Sequence, residues 1–500
     1  MSVRLTIAAV ASVAVLTGCG STVATVAGAP GSDGSMAQSG NGLSGPTQNG
    51  PASAATSLVR AGSRPQSLPS TNGSQGGAVT GPATSAPLSR QTGGANSSGA
   101  VRGPLTVGFL YPDNGAANAA LGVATSASSN PKTMMTALVT ALNRSGGLAG
   151  RHLTINFYAV DSTSSDYSTQ ANAACTHFTQ DNPVPVVLDL AFGTRFGMAG
   201  CLAKRGVADI GFGTSDTVGD NAAGLFAAPD WMTSTRRYPA VLAGLHATGY
   251  LTPKNKIGVL LENCPYLQRA YKQAVLPEIS RLGLNLVDTE QLDCTTGFSS
   301  AGPASASVQS AVLRFRSHGV DRLLMVSDYE QVTLLLIAND AESQGWRPGY
   351  MLSSTAQTEV MRPNIPSAQW PQLHGTGWSP GMDIDDPYQP LPAADRRCID
   401  LIKTGGVAVT GWQNLYVATT ECSEVFLVDA AMQHSGGNAQ GSALMTAIEA
   451  LGTSFVSPGI LDGRTSFGPS RRDGATAVAP FGYDATCRCL KYTGRPFLAP

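Results

Sequence analysis

Charge is scarce in this chain of 500 residues: only 13% are Asp, Glu, Lys or Arg, and the net charge is −1. That excludes the basic footprint that nucleic acid requires and the acidic run of a solvating tail. Long apolar runs are missing apart from Leu5 to Leu16, which stops short of the ~20 residues that a bilayer span needs. Motif-borne catalysis is missing too, with no GxSxG elbow, no HExxH, no GxxxxGK[ST] loop and no GxGxxG after a strand. Histidines such as His177 and His318 sit where helix surfaces and last turns place them. Neither an enzymatic activity nor a cofactor is expected. Aromatic and branched residues are nearly absent from 20 to 103, as in GSDGSMAQSGNGLSGPTQNG. Such a segment cannot offset its ordering entropy by burial and reads as a disordered tether with an end-to-end distance of ~50 Å. The remainder, Pro104 to Pro500, is long enough for two domains with full cores.

The N-terminus carries Arg4, then the apolar run, then small residues, the layout of an export signal. Leu16-Thr17-Gly18-Cys19 resembles the bacterial lipobox. The resemblance implies cleavage before Cys19 and a diacylglyceryl thioether on its sulfur, which would tie the protein to the lipid bilayer. An ordinary signal peptide cut further downstream is the alternative.

Removing Cys19 from nine cysteines leaves Cys175, Cys201, Cys264, Cys294, Cys398, Cys422, Cys487 and Cys489. An even set in an exported chain implies disulfides, although eight cysteines allow 105 pairings. The simplest pairing joins sequence neighbours: 175 with 201, 264 with 294, 398 with 422, and 487 with 489. The rival reading is zinc, but CRC is not the paired CxxC spacing of a structural site, so no metal is expected.

From Leu105 the hydrophobic pattern alternates between strands and helices. Strands are expected at 105–110, 153–160, 184–190 and 207–212, with helices at 131–144, 168–178 and 195–205. After a helix at 233–250 the pattern restarts, with strands at 256–263, 284–292, 321–327 and 349–354 and helices at 266–283, 304–319 and 330–345. A long helix lies in WQNLYVATTECSEVFLVDAAMQHSG, and the Arg-Asp-Gly and Tyr-Asp steps near the end suit hairpin turns. Such alternation gives parallel sheets covered on both faces.

The order of elements over about 105–495 resembles the type I periplasmic binding proteins, specifically the branched-chain amino-acid-binding receptors of ABC transporters. The resemblance is strongest in VVLDLAFGTRFGMAGCLAKRGVADIGFGTSD, KIGVLLENCPYLQRAYKQAVLPEISRLGLNLV and GVDRLLMVSDYEQVTLLLIANDAESQGW. It implies two doubly wound parallel-sheet lobes joined by a hinge: signal peptide 1–18, lipidated tether 19–103, first lobe 104–232, second lobe 233–375, and a returning segment 376–500.

In such sheets ligands sit at the carboxyl ends of strands, where loops meet helix N-termini. By position Thr194 and Ser215 match the family's carboxylate-holding hydroxyls, with Gly213 and Thr214 offering N–H groups; helix capping is the plainer role of such turns. Tyr266 and Tyr329 match aromatic contacts from the second lobe, where a core or rim tyrosine is the alternative. Tyr111 to Asn114 form a weaker candidate, and Ser354 lies where the family places an acidic partner for the ligand's ammonium. Asp328 or Glu359 would have to substitute, or the ligand is not an amino acid. Cys201 falls within a helix, whereas the family's second cysteine precedes it. The implied partners are a small-molecule ligand, an ABC permease and the bilayer, without nucleic acid. An anchored sensor or protein-interaction scaffold is the competing class.

Replacing Cys19 by Ser is expected to abolish lipid labelling and move the protein from the membrane to the soluble fraction; retention in the membrane would refute the anchor.

Overall fold

The computed structural model describes residues 103–116, 130–191, 195–211, 224–297, 300–385 and 391–499. The signal, Cys19 and the tether up to residue 102 lie outside the described residues.

The first lobe is built on a parallel sheet of order β2-β1-β3-β4-β5, formed by β1 (Leu105–Asp113), β2 (Leu153–Asp161), β3 (Val186–Asp189), β4 (Ala208–Gly211) and β5 (Phe226–Ala227). Alternate side chains serve opposite faces, as the pleat requires. Phe109, Val186, Leu188 and Ile210 pack beneath α1 (Pro131–Arg144), while Leu110, Val160 and Val187 pack against α2 (Tyr167–Thr176) and α3 (Met198–Lys204).

The second lobe opens with α4 (Ser234–Ala247) and a parallel sheet of order β7-β6-β8-β9, from β6 (Lys256–Glu262), β7 (Asn285–Leu292), β8 (Arg322–Val326) and β9 (Gly349–Met351). On one face lie α4 and α5 (Pro265–Ala270), which continues through a π-type turn at Tyr271–Val275 into α6 (Leu276–Arg281). The turn explains why one helix expected at 266–283 is three pieces: Pro277 in the next turn has no N–H to give, and the register widens before it. The other face carries α7 (Ala301–Ser317) and α8 (Glu330–Ser343).

The strand expected at 349–354 ends early, and Ser354–Ala356 form a 3-10 turn before the short α9 (Thr358–Met361). Leu352 then bridges in parallel to β10 (His374–Gly377). Beyond α10 (Pro380–Asp383) the chain returns to the first lobe. There α11 (Ala393–Thr404), α12 (Trp412–His434) and α13 (Gly441–Leu451) complete the core above α1. The last stretch, β11 (Ala477–Asp484), β12 (Cys489–Tyr492) and β13 (Phe497–Leu498), forms with β10 a third, antiparallel sheet, joined to the second by the Leu352 bridge. The structure forms all four disulfides between sequence neighbours.

The chain therefore passes between lobes three times, near 228–233, after Trp378, and through 464–476. Those passages are bonded to one another. Ala228 donates to Arg472 O at 2.8 Å, Gly474 donates to Ala228 O at 2.7 Å, and Ala475 donates to Trp231 O at 3.1 Å. This corrects one turn expectation, because Arg472-Asp473-Gly474 is paired against Ala228 and the reversal lies at Gly468–Arg471 instead. Trp378 is fully buried, meets Trp231 edge to face at 5.8 Å, and donates its Nε1–H to Asp230 O at 2.9 Å. The Asp473 carboxylate receives Thr233 N–H at 2.8 Å and the Arg236 guanidinium at 2.5 Å, which ties the third passage to the positive end of α4.

Trp378→Phe keeps an aromatic ring but loses the indole N–H and strands the buried Asp230 carbonyl. A loss of about 1–3 kcal/mol is expected, read as a lower denaturation midpoint.

Candidate functional site

The carboxyl ends of β6 and β8 carry a closed polar network. Glu262, the last residue of β6, accepts Thr295 N–H at 2.7 Å on Oε1, and Ser327 Oγ–H at 3.0 Å and Asp328 N–H at 3.2 Å on Oε2. Arg237, 1% exposed, gives Nη2–H to Asp328 Oδ1 at 3.0 Å, to Ser327 O at 3.0 Å and to Tyr238 Oη at 2.9 Å. A guanidinium at this depth needs such partners, since an unpaired buried charge is costly. Tyr329 comes next, its N–H held by Ser327 Oγ at 3.0 Å, and α8 begins at Glu330. Glu330 is buried and accepts Ser353 N–H at 2.9 Å together with the hydroxyls of Ser353 and Thr355.

The predicted residues distribute unevenly over this frame. Tyr266 is half-buried on the first turn of α5, directly after β6, and Tyr329 is half-buried directly after β8, so the two tyrosines stand at the carboxyl ends of neighbouring strands. Asp328 is beside Tyr329 and bonded to Arg237, whereas Glu359 pairs with Arg362 at 3.1 Å and is pushed up to about 8, chiefly by burial. Ser354 is fully buried. Its hydroxyl donates to Asp383 Oδ2 at 3.1 Å and accepts the N–H groups of Trp378 at 2.7 Å and Ser379 at 3.2 Å, which exhausts its capacity. It braces the second passage between lobes. Tyr111 packs on the first core, its ring 5.8 Å from Phe109. Thr194, Gly213, Thr214 and Ser215 lie outside the described residues.

At the carboxyl ends of the first sheet the structure gathers acids that the pattern of runs did not reveal. Asp189 ends β3, Asp209 lies in β4, Asp230 follows β5, and Glu421 and Glu424 descend from α12. All five are at most 6% exposed. Burial pushes Glu421 and Glu424 well above the usual carboxylate range, aided at Glu424 by Asp230, Asp189, Glu421 and Asp209. Burial and then the neighbouring Asp189 do the same to Asp209, and burial pushes Asp230 up to about 7. Held as neutral acids, Asp209, Glu421 and Glu424 avoid the cost of buried charge. The sequence signal was the pair of glutamates three apart inside the otherwise uncharged TTECSEVFLV.

A trio within metal-ligating reach among the described residues, Glu262, Cys264 and Cys294, offers no thiolate because its sulfurs are joined to each other. No helix among those residues is long and apolar enough to cross a membrane.

Two parallel-sheet lobes with a triple passage define the type I periplasmic-binding fold, and solved structures share it. The chain is similar to a solute-binding protein of an ABC transporter from Rhodopseudomonas palustris HaA2 in complex with p-hydroxybenzoic acid, at TM-score 0.57 and 14% identity over 79% of this chain and 97% of that one. It is equally similar to the branched-chain amino acid transporter substrate-binding protein LivJ from Streptococcus pneumoniae in complex with isoleucine, at TM-score 0.56 and 14% identity over 79% and 100%. A branched-chain amino acid ABC transporter protein from Thermus thermophilus with bound valine gives TM-score 0.56 and 14% identity over 79% and 97%. At this identity the likeness is one of fold. No protein-family model matches the sequence, and no curated protein matches it.

The neutral acids set the sign of a pH dependence. Asp230 holds its proton to about 7 in the folded chain, against an ordinary value of 3.8 that the unfolded chain recovers. Between those values the folded state binds more protons, so stability is greatest near pH 4 and falls as the pH rises through 7, by on the order of 4 kcal/mol at most for this group. Thermal melts from pH 4 to 8 should show that fall, and Asp230→Asn should make it shallower by one proton's share, the other raised acids keeping theirs; an unchanged slope in the variant would mean that Asp230 is already ionised.

Proposed function

We propose that the chain is the extracytoplasmic solute-binding receptor of an ABC transporter, held to the membrane by lipid on Cys19, and that it captures a small polar solute between its lobes. The observation that carries this reading is the frame itself: two parallel sheets, linked by three bonded passages able to act as a hinge, of the kind whose carboxyl strand ends receive ligands. The solute-binding proteins that share the fold are described with amino acids and hydroxybenzoates bound, which supports an amino acid, an amide or a small carboxylate as the solute class here.

In this reading Thr194, Gly213, Thr214 and Ser215 serve the first lobe's half of the site, and Tyr266 and Tyr329 the second lobe's. Asp328 would receive an ammonium group in the absence of an acid at Ser354, and its Oδ2 has no hydrogen-bond partner among the described residues. A tethered receptor stays near its permease, and two or more acyl chains on one cysteine give firm attachment.

A thermal-denaturation screen of the full chain with amino acids, amides, aliphatic and aromatic carboxylates and sugars tests the proposal. Solute at a hundred times its Kd should stabilise by about 2.7 kcal/mol. Tyr266→Ala or Tyr329→Ala should then weaken the hit about tenfold while leaving the melting temperature without solute near its parent value. Silence across the whole panel would overturn transport and leave the anchored scaffold.

A further inference from the structure

The lobes also meet opposite the hinge. In the first sheet β2 is the edge farthest from the passages, which leave from the β5 side; in the second β7 is the far edge, with β9 and β10 on the hinge side. The loops that come after these two outer strands touch. Tyr167 donates its N–H to Thr296 O at 3.0 Å. Tyr167 is the first residue of α2, so its N–H has no acceptor within the helix. Asp166 takes the next two donors, Ser168 N–H at 2.8 Å and Thr169 N–H at 3.3 Å, and the Tyr167 donor goes across to the other lobe.

Gly297 is buried beside this bond. A Cβ there would run into the Ser165 carbonyl and lie 2.9 Å from Asp166 N. Its φ is not in the left-handed region, so backbone conformation is not what calls for glycine. Close approach of the other lobe is.

Both halves of the contact are stiff. On the first lobe Tyr167 Oη–H donates to Ser162 O at 2.8 Å, and Ser162 Oγ–H to Asn114 Oδ1 at 2.6 Å. On the second, the Cys264–Cys294 disulfide joins the ends of β6 and β7, Glu262 receives Thr295 N–H at 2.7 Å, and Ser300 N–H donates to Gly297 O at 3.0 Å. Glu262 also holds Ser327 and Asp328, which lead into Tyr329.

We infer that the Ser165–Tyr167 and Thr296–Gly297 loops form a latch that shuts the mouth of the interlobe cleft. Gly297 is the residue whose missing side chain sets how far the lobes close. Glu262 is a positioning residue that ties the latch loop and the Tyr329 loop to one carboxylate, so a shift of either moves the other. Its purpose, sealing a captured solute, rests on the receptor reading; the contact itself does not.

Amide hydrogen exchange on the full chain at residue resolution, without added solute, tests it. The Tyr167 amide should exchange at least about tenfold more slowly than its sequence alone dictates. Gly297→Val should remove that protection while Phe109 and Leu260, in the two sheets, keep theirs. Glu262→Gln should lower protection at Thr295 and Tyr167 together. An unprotected Tyr167 in the parent chain overturns the latch, as does protection that survives Gly297→Val. Should Gly297→Val lose protection in the sheets as well, the parent rate and Gly297→Ala decide. A silent solute screen with a protected Tyr167 would sink the receptor reading and leave the latch standing.

Discussion

Everything in this molecule that concerns two lobes depends on three chain passages behaving as one joint. Trp378 supplies the joint's centre, with its ring against Trp231, its indole N–H on Asp230 O and its carbonyl on Leu461 N–H. The first two contacts reach the passage at 228–233, and the third reaches the segment that leads into the passage at 464–476. Asp473 adds a charge-assisted bond to Arg236 and a backbone bond to Thr233, so the start of the second lobe is fixed by a residue more than two hundred positions later. The small apolar cluster around Trp231, Trp378, Ile460 and Val478 is a core of its own, separate from the cores of the lobes. Separate cores allow each lobe to stay rigid while the joint turns.

The two sets of strand ends handle buried charge in different ways, although burial pushes Glu330 and Glu359 of the second lobe up as well. The second pairs it: Arg237 with Asp328, and Glu262 and Glu330 saturated by hydroxyls and backbone N–H groups. The first has no buried cation beside its acids among the described residues, and proton binding takes the place of pairing for Asp209, Asp230, Glu421 and Glu424. Pairing is directional and locks geometry, whereas protonation only removes a cost. The network at the ends of β6 and β8 is therefore the more closely fixed in geometry.

The fold was largely legible in the sequence because strands buried on both faces read as unbroken apolar runs, and VVLDL and KIGVLL announce themselves. Disulfide pairing by nearest neighbours succeeded because each pair lies within one lobe's local unit. What escaped depends on contacts distant in sequence. Arg472-Asp473-Gly474 looks like a turn, but Ala228 recruits it as an edge bridge. Ser354 has the composition of a ligand contact, but Trp378 and Asp383 consume its hydroxyl. Glu421 and Glu424 carry only a faint local signal, and their burial depends on the sheet on which the helix packs. In CTTGFSS the glycine passes for a turn residue, and only the opposite lobe shows why a side chain is barred there.

Hinge and rim together constrain closure more than either does alone. A joint bonded at one edge leaves a rotation free, and a contact at the far edge removes most of what remains, because β2 and β7 lie a full sheet's width from the passages. A displacement at the hinge is magnified across that width before it reaches Gly297, so the rim contact is the more sensitive to lobe angle. Glu262 sits between them with one oxygen on the rim loop and the other on the loop of Tyr329. Rotating that carboxylate to favour one set of donors would abandon the other in a buried place, at about 1–3 kcal/mol per stranded group. The rim and the inner wall of the second lobe must therefore move as a single body.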